Sequence, residues 1–313
     1  MRISPKRSRI AVVGAEGFIG SHLSAKLASN GAAVAKFTRS SPLLSPGGHL
    51  RPELAGVEVI FYLAASVHAA SAERYPARVD ADRDQFTRVL DALTTLQRPP
   101  LVVFASTGVY LYDQRSPVPF REDSPTDPRT AYGRAKLRLE RELAARRAAV
   151  PSLILRLATV YGAGQRAGPG HGVVAHWLAA AAAGAPLRLF GDPDAVRDYV
   201  YVTDVTEALW RITSYGRNGT SWPEVINIGS GRPTSLSRLL GHVVSTVRRE
   251  VTVEAVPGRG VDQFEAVLDV DLAASVLGWR PSTDLRDGIS RMWQGGGSYA
   301  ATTPVRASSI TVE

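Results

Sequence analysis

Cysteine is absent from this chain of 313 residues. Its absence excludes disulfide bonds, thiolate metal ligands and a cysteine nucleophile, and it is consistent with a reducing cytoplasm. Long apolar runs are absent as well. The longest, Val173 to Ala183, contains His176 and is well short of the roughly 20 residues that a membrane span needs. We therefore expect a cytoplasmic protein with no membrane-spanning segment.

Basic runs are also missing, although the formal net charge is +8. The arginines are scattered and form no aromatic–basic repeat, so we expect no nucleic-acid partner and instead a need to bind polyanionic small molecules. His171 and His176 have no carboxylate at a metal-ligand spacing, and we therefore predict no metal site. The remaining composition, with 44% hydrophobic and 21% charged residues, is ordinary for a globular protein.

A strand, a glycine-rich turn and a helix follow one another near the start of the chain. The apolar run Arg9 to Val13 leads into the turn Gly14 to Gly20, which also contains Gly17, and the amphipathic stretch Ser21 to Asn30 follows. Glycines allow a tight turn and let a pyrophosphate approach the helix N-terminus. The segment predicts a nucleotide-binding βαβ unit, although its Gly-x-x-Gly-x-x-Gly spacing differs from the commonest dinucleotide motif.

No aspartate or glutamate occurs between Phe18 and Pro52. In dinucleotide-binding folds an acid at the end of the second strand normally binds the free 2′-hydroxyl of the adenosine ribose. Here Arg39 and Ser40 follow the predicted strand Ala33 to Phe37. A guanidinium and a hydroxyl suit a 2′-phosphate, so the sequence favours NADP over NAD. The alternative is that Arg39 is only an exposed loop residue.

Apolar runs alternate with helical stretches as far as Gly162. Strands are predicted at residues 9–13, 33–37, 57–63, 101–104 and 153–157, and long helices at 75–96 and 135–147. This alternation predicts an α/β fold with a Rossmann-type doubly wound parallel sheet over residues 9–164. Ligands bind at the carboxyl ends of such strands, so the residues at those ends are expected to converge on one cleft: Gly14, Arg39, Ala64, Ser106 and Thr159.

The second half of the chain has a mixed pattern. Residues 165–294 are predicted to form a smaller C-terminal α/β substrate-binding lobe, with a strand pair around 187–190 and 198–202 and a further strand at 224–229. Residues 198–214 are expected to pack back on the Rossmann sheet. The tail, 295–313, starts with three glycines and continues with small polar residues, and it is predicted not to fold.

Tyr132 and Lys136 stand four residues apart at the start of a helical run, a spacing that places both on one face. A phenol with a pKa of about 10 is a poor proton relay near neutral pH. A nearby lysine ammonium favours the phenolate and lowers that pKa. The pair is therefore a candidate for proton transfer at a carbonyl or alcohol, and an ordinary surface pair is the alternative.

With the glycine turn, Ser106, Tyr132 and Lys136 in this order, the chain resembles the extended short-chain dehydrogenase/reductase family. The resemblance is to the branch of nucleotide-sugar epimerases, dehydratases and reductases, especially the 4-ketoreductases, and it covers about residues 9 to 293. Further family motifs are Leu63-Ala-Ala65, Arg156-Leu157 with Val160-Tyr-Gly162, Arg197 to Asp204, Asn227 to Gly231 and Leu277 to Pro281.

The resemblance implies a role for each of these residues. Tyr132 is the general acid/base, Lys136 lowers its pKa and binds the nicotinamide ribose, and Ser106 hydrogen-bonds the reacting oxygen. The implied cofactor-binding residues are Gly14, Gly17, Phe18, Ile19, Gly20, Arg39, Ser40, Leu63, Ala64, Ala65, Tyr132 and Lys136. The implied substrate-binding residues are Ser66, His68, Thr107, Thr159, Arg197 and Arg259, of which the two arginines bind the sugar-nucleotide diphosphate. Structural alternatives are a salt bridge from Arg197 to Asp198 or Asp204, and a structural role for His68.

The chain also departs from the family at several positions. His49 stands where relatives often have an Asp that contacts adenine, Asp82 replaces a frequent Asn in the long helix, and Thr159 replaces an Asn that often contacts substrate. Gly108 and Val109 follow Thr107 where 4,6-dehydratases carry an Asp-Glu pair. No side chain is then evident to eliminate water, which argues against a dehydratase.

These observations predict NADPH-dependent reduction of a keto group, at C4, on a nucleotide-activated deoxysugar, with a dTDP-linked substrate. An NAD-dependent nucleotide-sugar 4-epimerase is the first alternative, because it would use the same residues. A non-catalytic NADP-binding regulatory protein is the second, although such a protein has no need of a proton relay. Helices 75–96 and 135–147 correspond to those that form a dimer bundle in relatives, so a homodimer remains open.

Overall fold

Strands and helices alternate through most of the chain. The computed structural model describes residues 9–167, 172–215, 222–258 and 265–295. The strands are β1 Arg9–Val13, β2 Ala33–Phe37, β3 Val59–Tyr62, β4 Leu101–Thr107, β5 Ser152–Leu157, β6 Thr159–Tyr161, β7 Leu187–Phe190, β8 Val196–Tyr201, β9 Val225–Ile228, β10 Pro233–Ser235 and β11 Val253–Val256. The helices are α1 Phe18–Ser29, α2 Pro76–Thr94, α3 Ala131–Ala145, α4 Val173–Ala182, α5 Val202–Tyr215, α6 Leu236–Val247, α7 Asp271–Leu277 and α8 Leu285–Gln294.

The central sheet has six strands in the order β2-β1-β3-β4-β5-β9, and every neighbouring pair in it is parallel. Parallel strands covered by helices on both faces read as continuous apolar runs, as β3 and β4 do here. The order reverses at β1, because β2 lies on one side of it and β3 on the other. This arrangement confirms the predicted doubly wound α/β fold and places a ligand crevice at the carboxyl ends of β1 and β3.

Side chains alternate along each strand, so the sheet has a different hydrophobic cluster on each face. Ile10 and Val12 pack with buried residues of α1 and α5 on one face. Ala11 and Val13 pack with buried residues of α2 and α3 on the other. The helix that carries Tyr132 and Lys136 is thereby held against β4 and β5.

Strand β9 corrects the interpretation that residues 224–229 belong to the smaller lobe. It pairs in parallel with β5, from Ile154 opposite Val225 to Leu157 opposite Ile228, and it is therefore the outer strand of the Rossmann sheet. Local sequence does not reveal this pairing, because the two strands are far apart in the chain. Helix α5 also lies on this sheet, packed against α1 and joined to it by Lys26 and Glu207 at 2.6 Å.

The expected strand pair of 187–190 with 198–202 is wrong. Strand β7 pairs instead with β11, in parallel, and β8 lies between β6 and β10 in a three-stranded sheet. A third hydrophobic cluster, which includes Trp177 and Tyr161, joins these strands to α4, α6 and α8. Within the described ranges, no helix is both long and apolar enough to cross a membrane. The tail residues 296–313 lie outside the described residues.

Candidate active site

Helix α3 begins at Ala131, four residues before the predicted start. Thr130 caps it, because its hydroxyl accepts a hydrogen bond from the Gly133 amide at 3.0 Å. A side chain at Gly133 would collide with the carbonyl oxygen of Tyr110, so the glycine lets the first turn approach the segment after β4 closely. Tyr132 therefore lies in the first turn of the helix, with Lys136 one turn further along the same face.

Lys136 is fixed by the strand below it. Its side chain is buried, with 6% of the residue exposed, and its Nζ donates a hydrogen bond to the carbonyl oxygen of Ala105 at 2.8 Å. The same Nζ lies 4.8 Å from the ring centroid of Phe104 and 5.9 Å from that of Tyr132. The ammonium is thus held between α3 and β4, at Ala105, the residue that immediately precedes Ser106.

Burial changes the acidity of both groups. It lowers the pKa of Lys136 to about 8, although the charges of Asp82 and Glu140 oppose that change. It raises the pKa of Tyr132 well above the ordinary value, and Tyr110 and Asp82 add to the rise. Burial dominates the pKa of Tyr132 in the protein chain, and the expectation that Lys136 lowers this pKa stays a prediction. A phenol with a raised pKa stays protonated at neutral pH.

Ser106 lies near the end of β4, next to the carbonyl group that holds Lys136. It is buried, at 5% exposure, and its hydroxyl has no hydrogen-bond partner among the described residues. A buried hydroxyl usually has a partner, so this group is suited to an oxygen atom of a bound molecule. Its neighbour Thr107 is engaged locally, because its Oγ1 accepts a hydrogen bond from the Val109 amide at 3.3 Å.

A cavity is lined by residues of α2, α3 and the segment after β3. Its volume is about 400 Å³ including its open mouth. Tyr132 and Lys136 line it from α3, and Asp82 lines it from α2. Ala64 and Ala65, two of the predicted cofactor-binding residues, line it from the end of β3. The structure therefore brings the phenol, the ammonium and the segment after β3 around one space.

The glycine turn fits a pyrophosphate. Gly14 has φ +89°, and a Cβ there would lie 2.9 Å from the Ala64 amide nitrogen, so the turn and the end of β3 are in close contact. Helix α1 starts at Phe18 with Gly17 as its N-cap, without a side-chain cap and without an acid in its first turn. The first-turn amides of Phe18, Ile19 and Gly20 have no acceptor within the helix. They suit the negative charge of a dinucleotide cofactor.

The end of β2 adjoins this turn, since the Gly14 amide donates to the Phe37 carbonyl oxygen at 2.8 Å. Ser40 and Thr38 hydroxyls are hydrogen-bonded to each other at 3.0 Å. Arg39 is exposed, and among the residues that the structure describes it has no hydrogen bond or ion pair. Arg39 follows the strand whose last residue, Phe37, is hydrogen-bonded to the glycine turn.

The predicted substrate residues after β3 face α2. The Ser66 amide donates to the Asp82 carboxylate at 2.8 Å, and the Ser66 hydroxyl donates to the Arg78 carbonyl oxygen at 3.3 Å. The His68 amide donates to the Ser71 hydroxyl at 3.0 Å. The backbone of this segment is therefore tied by short-range contacts, and Ser66 is oriented by the helix that carries Asp82.

Two further substrate candidates, Thr159 and Arg197, lie on neighbouring strands of the three-stranded sheet. Thr159 pairs with Tyr199 across β6 and β8, and Arg197, two residues earlier on β8, donates from Nη1 to the Val196 carbonyl oxygen at 2.8 Å. The Asp198 carboxylate, one of the alternative partners of Arg197, accepts hydrogen bonds from the amides of Ser230 and Gly231. Arg259 lies outside the described residues.

Two residues of the site were not among the predicted ones. Tyr110 packs edge-to-face on Tyr132, with ring centroids 5.9 Å apart. Asp82 lines the cavity, and the sequence signal for it is its position on the apolar stripe of α2, three residues after Val79 and four before Phe86. In the described part of the chain no group of three or more metal-ligating side chains occurs.

A sequence model of the NAD dependent epimerase/dehydratase family matches residues 10–229. Among curated proteins, the chain is 31% identical over 326 residues to the dTDP-6-deoxy-L-talose 4-dehydrogenase (NAD(P)(+)) of Kitasatospora kifunensis, covering 95% of this chain and 97% of that protein. It is 29% identical over 193 residues to the dTDP-4-dehydro-6-deoxyglucose reductase of Escherichia coli, covering 61% of this chain and 60% of that protein.

A solved structure shows the same architecture. The UDP-glucose 4-epimerase of Thermotoga maritima, crystallised with UDP-glucose, matches with a TM-score of 0.81 and 28% identity, covering 91% of this chain and 97% of that one. The likeness therefore extends over the Rossmann sheet and the second lobe together.

Proposed function

This chain belongs to the NAD-dependent epimerase/dehydratase family, and from that premise we propose that it reduces a keto group, at C4, on a nucleotide-activated deoxysugar with NADPH. The observation that carries the proposal is the pair Tyr132 and Lys136, which line one cavity, together with a buried serine hydroxyl on β4, the strand that holds Lys136. Tyr132 has a raised pKa, Ser106 has a buried hydroxyl without a partner among the described residues, and Lys136 is a buried ammonium.

Reduction of a ketone adds a hydride to the carbonyl carbon and a proton to the oxygen. The hydride would come from a nicotinamide cofactor bound at the glycine turn. The Tyr132 hydroxyl donates the proton, and the Ser106 hydroxyl donates a hydrogen bond that stabilises the negative charge developing on the same oxygen. Lys136, held by the Ala105 carbonyl oxygen, presents positive charge that stabilises the phenolate left on Tyr132.

The preference for NADPH rests on the end of β2. The acid that would bind a free 2′-hydroxyl is absent there, and Arg39 is exposed next to the glycine turn. A guanidinium binds a phosphate through charge-assisted, bidentate hydrogen bonds. The 2′-phosphate of NADPH would therefore bind Arg39, whereas NADH has no phosphate with which to make this contact.

The names of the relatives support a reaction at C4 and a dTDP-linked substrate. The Kitasatospora protein is named as a 4-dehydrogenase, which catalyses the reverse of a 4-keto reduction, and the Escherichia coli protein as a 4-dehydro sugar reductase. Both names also specify a dTDP-linked 6-deoxyhexose. We extend both features to this chain as part of the proposal.

The direct test is an assay with the purified full chain. A dTDP-4-keto-6-deoxyhexose is mixed with NADPH or NADH, absorbance at the nicotinamide band is followed, and the sugar product is analysed by NMR. We expect NADPH consumption with one equivalent of 4-hydroxy sugar formed. Consumption of neither cofactor with this substrate class would contradict the proposal.

The 4-epimerase is the second candidate, because the Thermotoga maritima enzyme shares the whole architecture. An epimerase oxidises and re-reduces the same carbon, so it retains its cofactor and needs none from solution. Cofactor released on denaturation separates the two functions. Stoichiometric NAD in the released fraction, together with interconversion of UDP-hexoses and no NADPH turnover, would establish the epimerase instead.

Replacing Arg39 with alanine should raise the KM for NADPH by roughly tenfold or more, because one charge-assisted phosphate contact contributes about 1.5–3 kcal/mol. The KM for NADH should stay nearly constant, since its ribose carries no phosphate. Steady-state kinetics with both cofactors measures the difference. The matched control is Arg98→Ala, also an exposed arginine, which precedes β4 and therefore lies at the amino-terminal ends of the parallel strands, away from the glycine turn. Equal effects of Arg39→Ala on both cofactors would contradict the 2′-phosphate contact.

A further inference from the structure

Asp82 is a carboxylate on the inward face of α2. The helix buries Phe86, Val89, Leu90 and Leu93 against the sheet, and Asp82 belongs to the same stripe, one turn before Phe86. It is only partly exposed. Acids are seldom found on such a face unless they have a partner or a role.

The Asp82 carboxylate is held in a fixed position. Its Oδ2 accepts a hydrogen bond from the Ser66 amide at 2.8 Å, which ties α2 to the segment after β3. From there it lines the same cavity as Tyr132 and Lys136. The carboxylate and the ammonium therefore face one space from two different helices.

The other charged groups around this space already have partners. Arg83 and Arg138 also line the cavity, but Arg83 pairs with Asp84 at 2.8 Å and Arg138 with Asp80 at 3.7 Å. Two phenols also face Asp82, Tyr62 from β3 and Tyr132 from α3, and the Asp82 charge contributes to the raised pKa of each. In the described structure neither arginine forms an ion pair with Asp82.

The surroundings of Lys136 provide little other negative charge. From β4 it receives only the Ala105 carbonyl oxygen and the Phe104 ring face. From its own helix it faces Glu140, but that carboxylate is paired with Arg156 at 2.8 Å. Two carboxylates favour the charged form of Lys136, those of Asp82 and Glu140, and among the described residues Asp82 is the one that has no salt bridge.

We propose that Asp82 is a positioning residue that acts through Lys136, because its carboxylate keeps the buried ammonium charged through the neutral pH range. The role of Lys136 in the reaction rests on the proposed function, whereas its charge state is a property of the protein alone. Asparagine has nearly the same shape as aspartate and still accepts the Ser66 hydrogen bond through its amide oxygen, but it supplies no charge.

The charge state of Lys136 can be measured directly by NMR. The chain has only four lysines, so a protein labelled with ¹³C at lysine Cε gives few signals, and Lys136→Arg identifies the one of interest. The four lysines are Lys6, Lys26, Lys36 and Lys136. We expect the wild-type Lys136 signal to titrate near pH 8. In Asp82→Asn the midpoint should move down by roughly one pH unit, since an opposite charge favours the charged form by that order.

Asp80→Asn is the matched control, because it removes an identical charge from the same helix outside the cavity lining. We expect it to leave the Lys136 midpoint within about 0.2 units of wild type, since exposed charges are screened. If Asp82→Asn does not fold, Asp82→Ala tests the loss of charge and Asp82→Glu its retention. A midpoint that Asp82→Asn or Asp82→Ala leaves unchanged, or that Asp80→Asn lowers equally, would overturn the inference.

The same variants tested in the assay separate this inference from the proposed function. The ammonium is lost as pH rises through its pKa, so the reduction rate should fall on the alkaline side. In Asp82→Asn that fall should begin at lower pH, with kcat/KM about fivefold below wild type at pH 8 if the midpoint moves by one unit. A shifted NMR midpoint with an unshifted kinetic profile supports the inference about Asp82 and overturns the role of Lys136.

Discussion

Tyr132→Phe should lower kcat for keto-sugar reduction by about 10²–10⁴-fold, the range that positioned proton donors contribute. The substitution removes one oxygen atom and keeps the ring that packs edge-to-face on Tyr110. The ketone then has only the Ser106 hydroxyl beside its oxygen, and that group does not replace the lost proton. Single-turnover kinetics with NADPH measures the chemical step itself, without product release.

The matched control for this prediction is Tyr110→Phe, which removes the equivalent oxygen from the neighbouring ring. We expect its kcat to remain within about threefold of wild type, because no proton transfer is assigned to it. NADPH binding, followed by fluorescence titration, should be unchanged in both variants. A Tyr132→Phe protein that retains more than about a tenth of the wild-type rate would show that the proton reaches the oxygen by another route.

The features that sequence predicted well are those that local spacing determines. The glycines at Gly14, Gly17 and Gly20 follow a short apolar strand and open α1, and each of these relations is visible within 20 residues. Tyr132 and Lys136 share a face because four residues make about one helical turn. Even the early start of α3 has a local cause, since Thr130 is a good N-cap and its hydroxyl binds the Gly133 amide.

The features that sequence missed depend on residues far apart in the chain. The pairing of β9 with β5 and that of β7 with β11 depend on which apolar strand meets which, and short apolar runs do not encode a partner. The effect of burial on the Tyr132 pKa has the same origin, because it follows from packing between several elements. A spacing of four residues reveals the neighbour of a phenol but not its solvation.

The sequence gives indications for Asp82, but they are not sufficient to predict its effect on Lys136. Its departure from the usual asparagine and its place on the apolar stripe of α2 could both be read from the sequence. The commitment of Arg83, Arg138 and Glu140 to other partners could not. The effect of a charge on the pKa of a neighbouring group depends on which other charges nearby are already paired. Those pairings are set by the folded structure and cannot be read from local sequence.

Helix α3 is anchored to the sheet by a buried ion pair one turn beyond Lys136. Glu140 continues the face that carries Tyr132 and Lys136, and its carboxylate accepts two hydrogen bonds from Arg156 on β5, at 2.8 and 3.3 Å. The side chains are only 4% and 8% exposed. Burial by itself lowers the pKa of Arg156, but the hydrogen bonds and charge of Glu140 outweigh burial and raise it.

Arg156→Met should therefore lower the free energy of unfolding by about 3–5 kcal/mol, because it leaves the Glu140 carboxylate buried without its cation. Urea unfolding followed by circular dichroism measures the loss.

Arg146→Met is the control: Arg146 pairs with Asp91 and Glu142 nearer the surface, and its loss should cost no more than about 1 kcal/mol. Combining Arg156→Met with Glu140→Leu should recover most of the stability, since removing both charges removes the unpaired one. An Arg156→Met protein within about 1 kcal/mol of wild type would show that Glu140 reaches solvent or another partner, and that α3 is anchored chiefly by Leu139 and Leu143 in the apolar cluster beneath it.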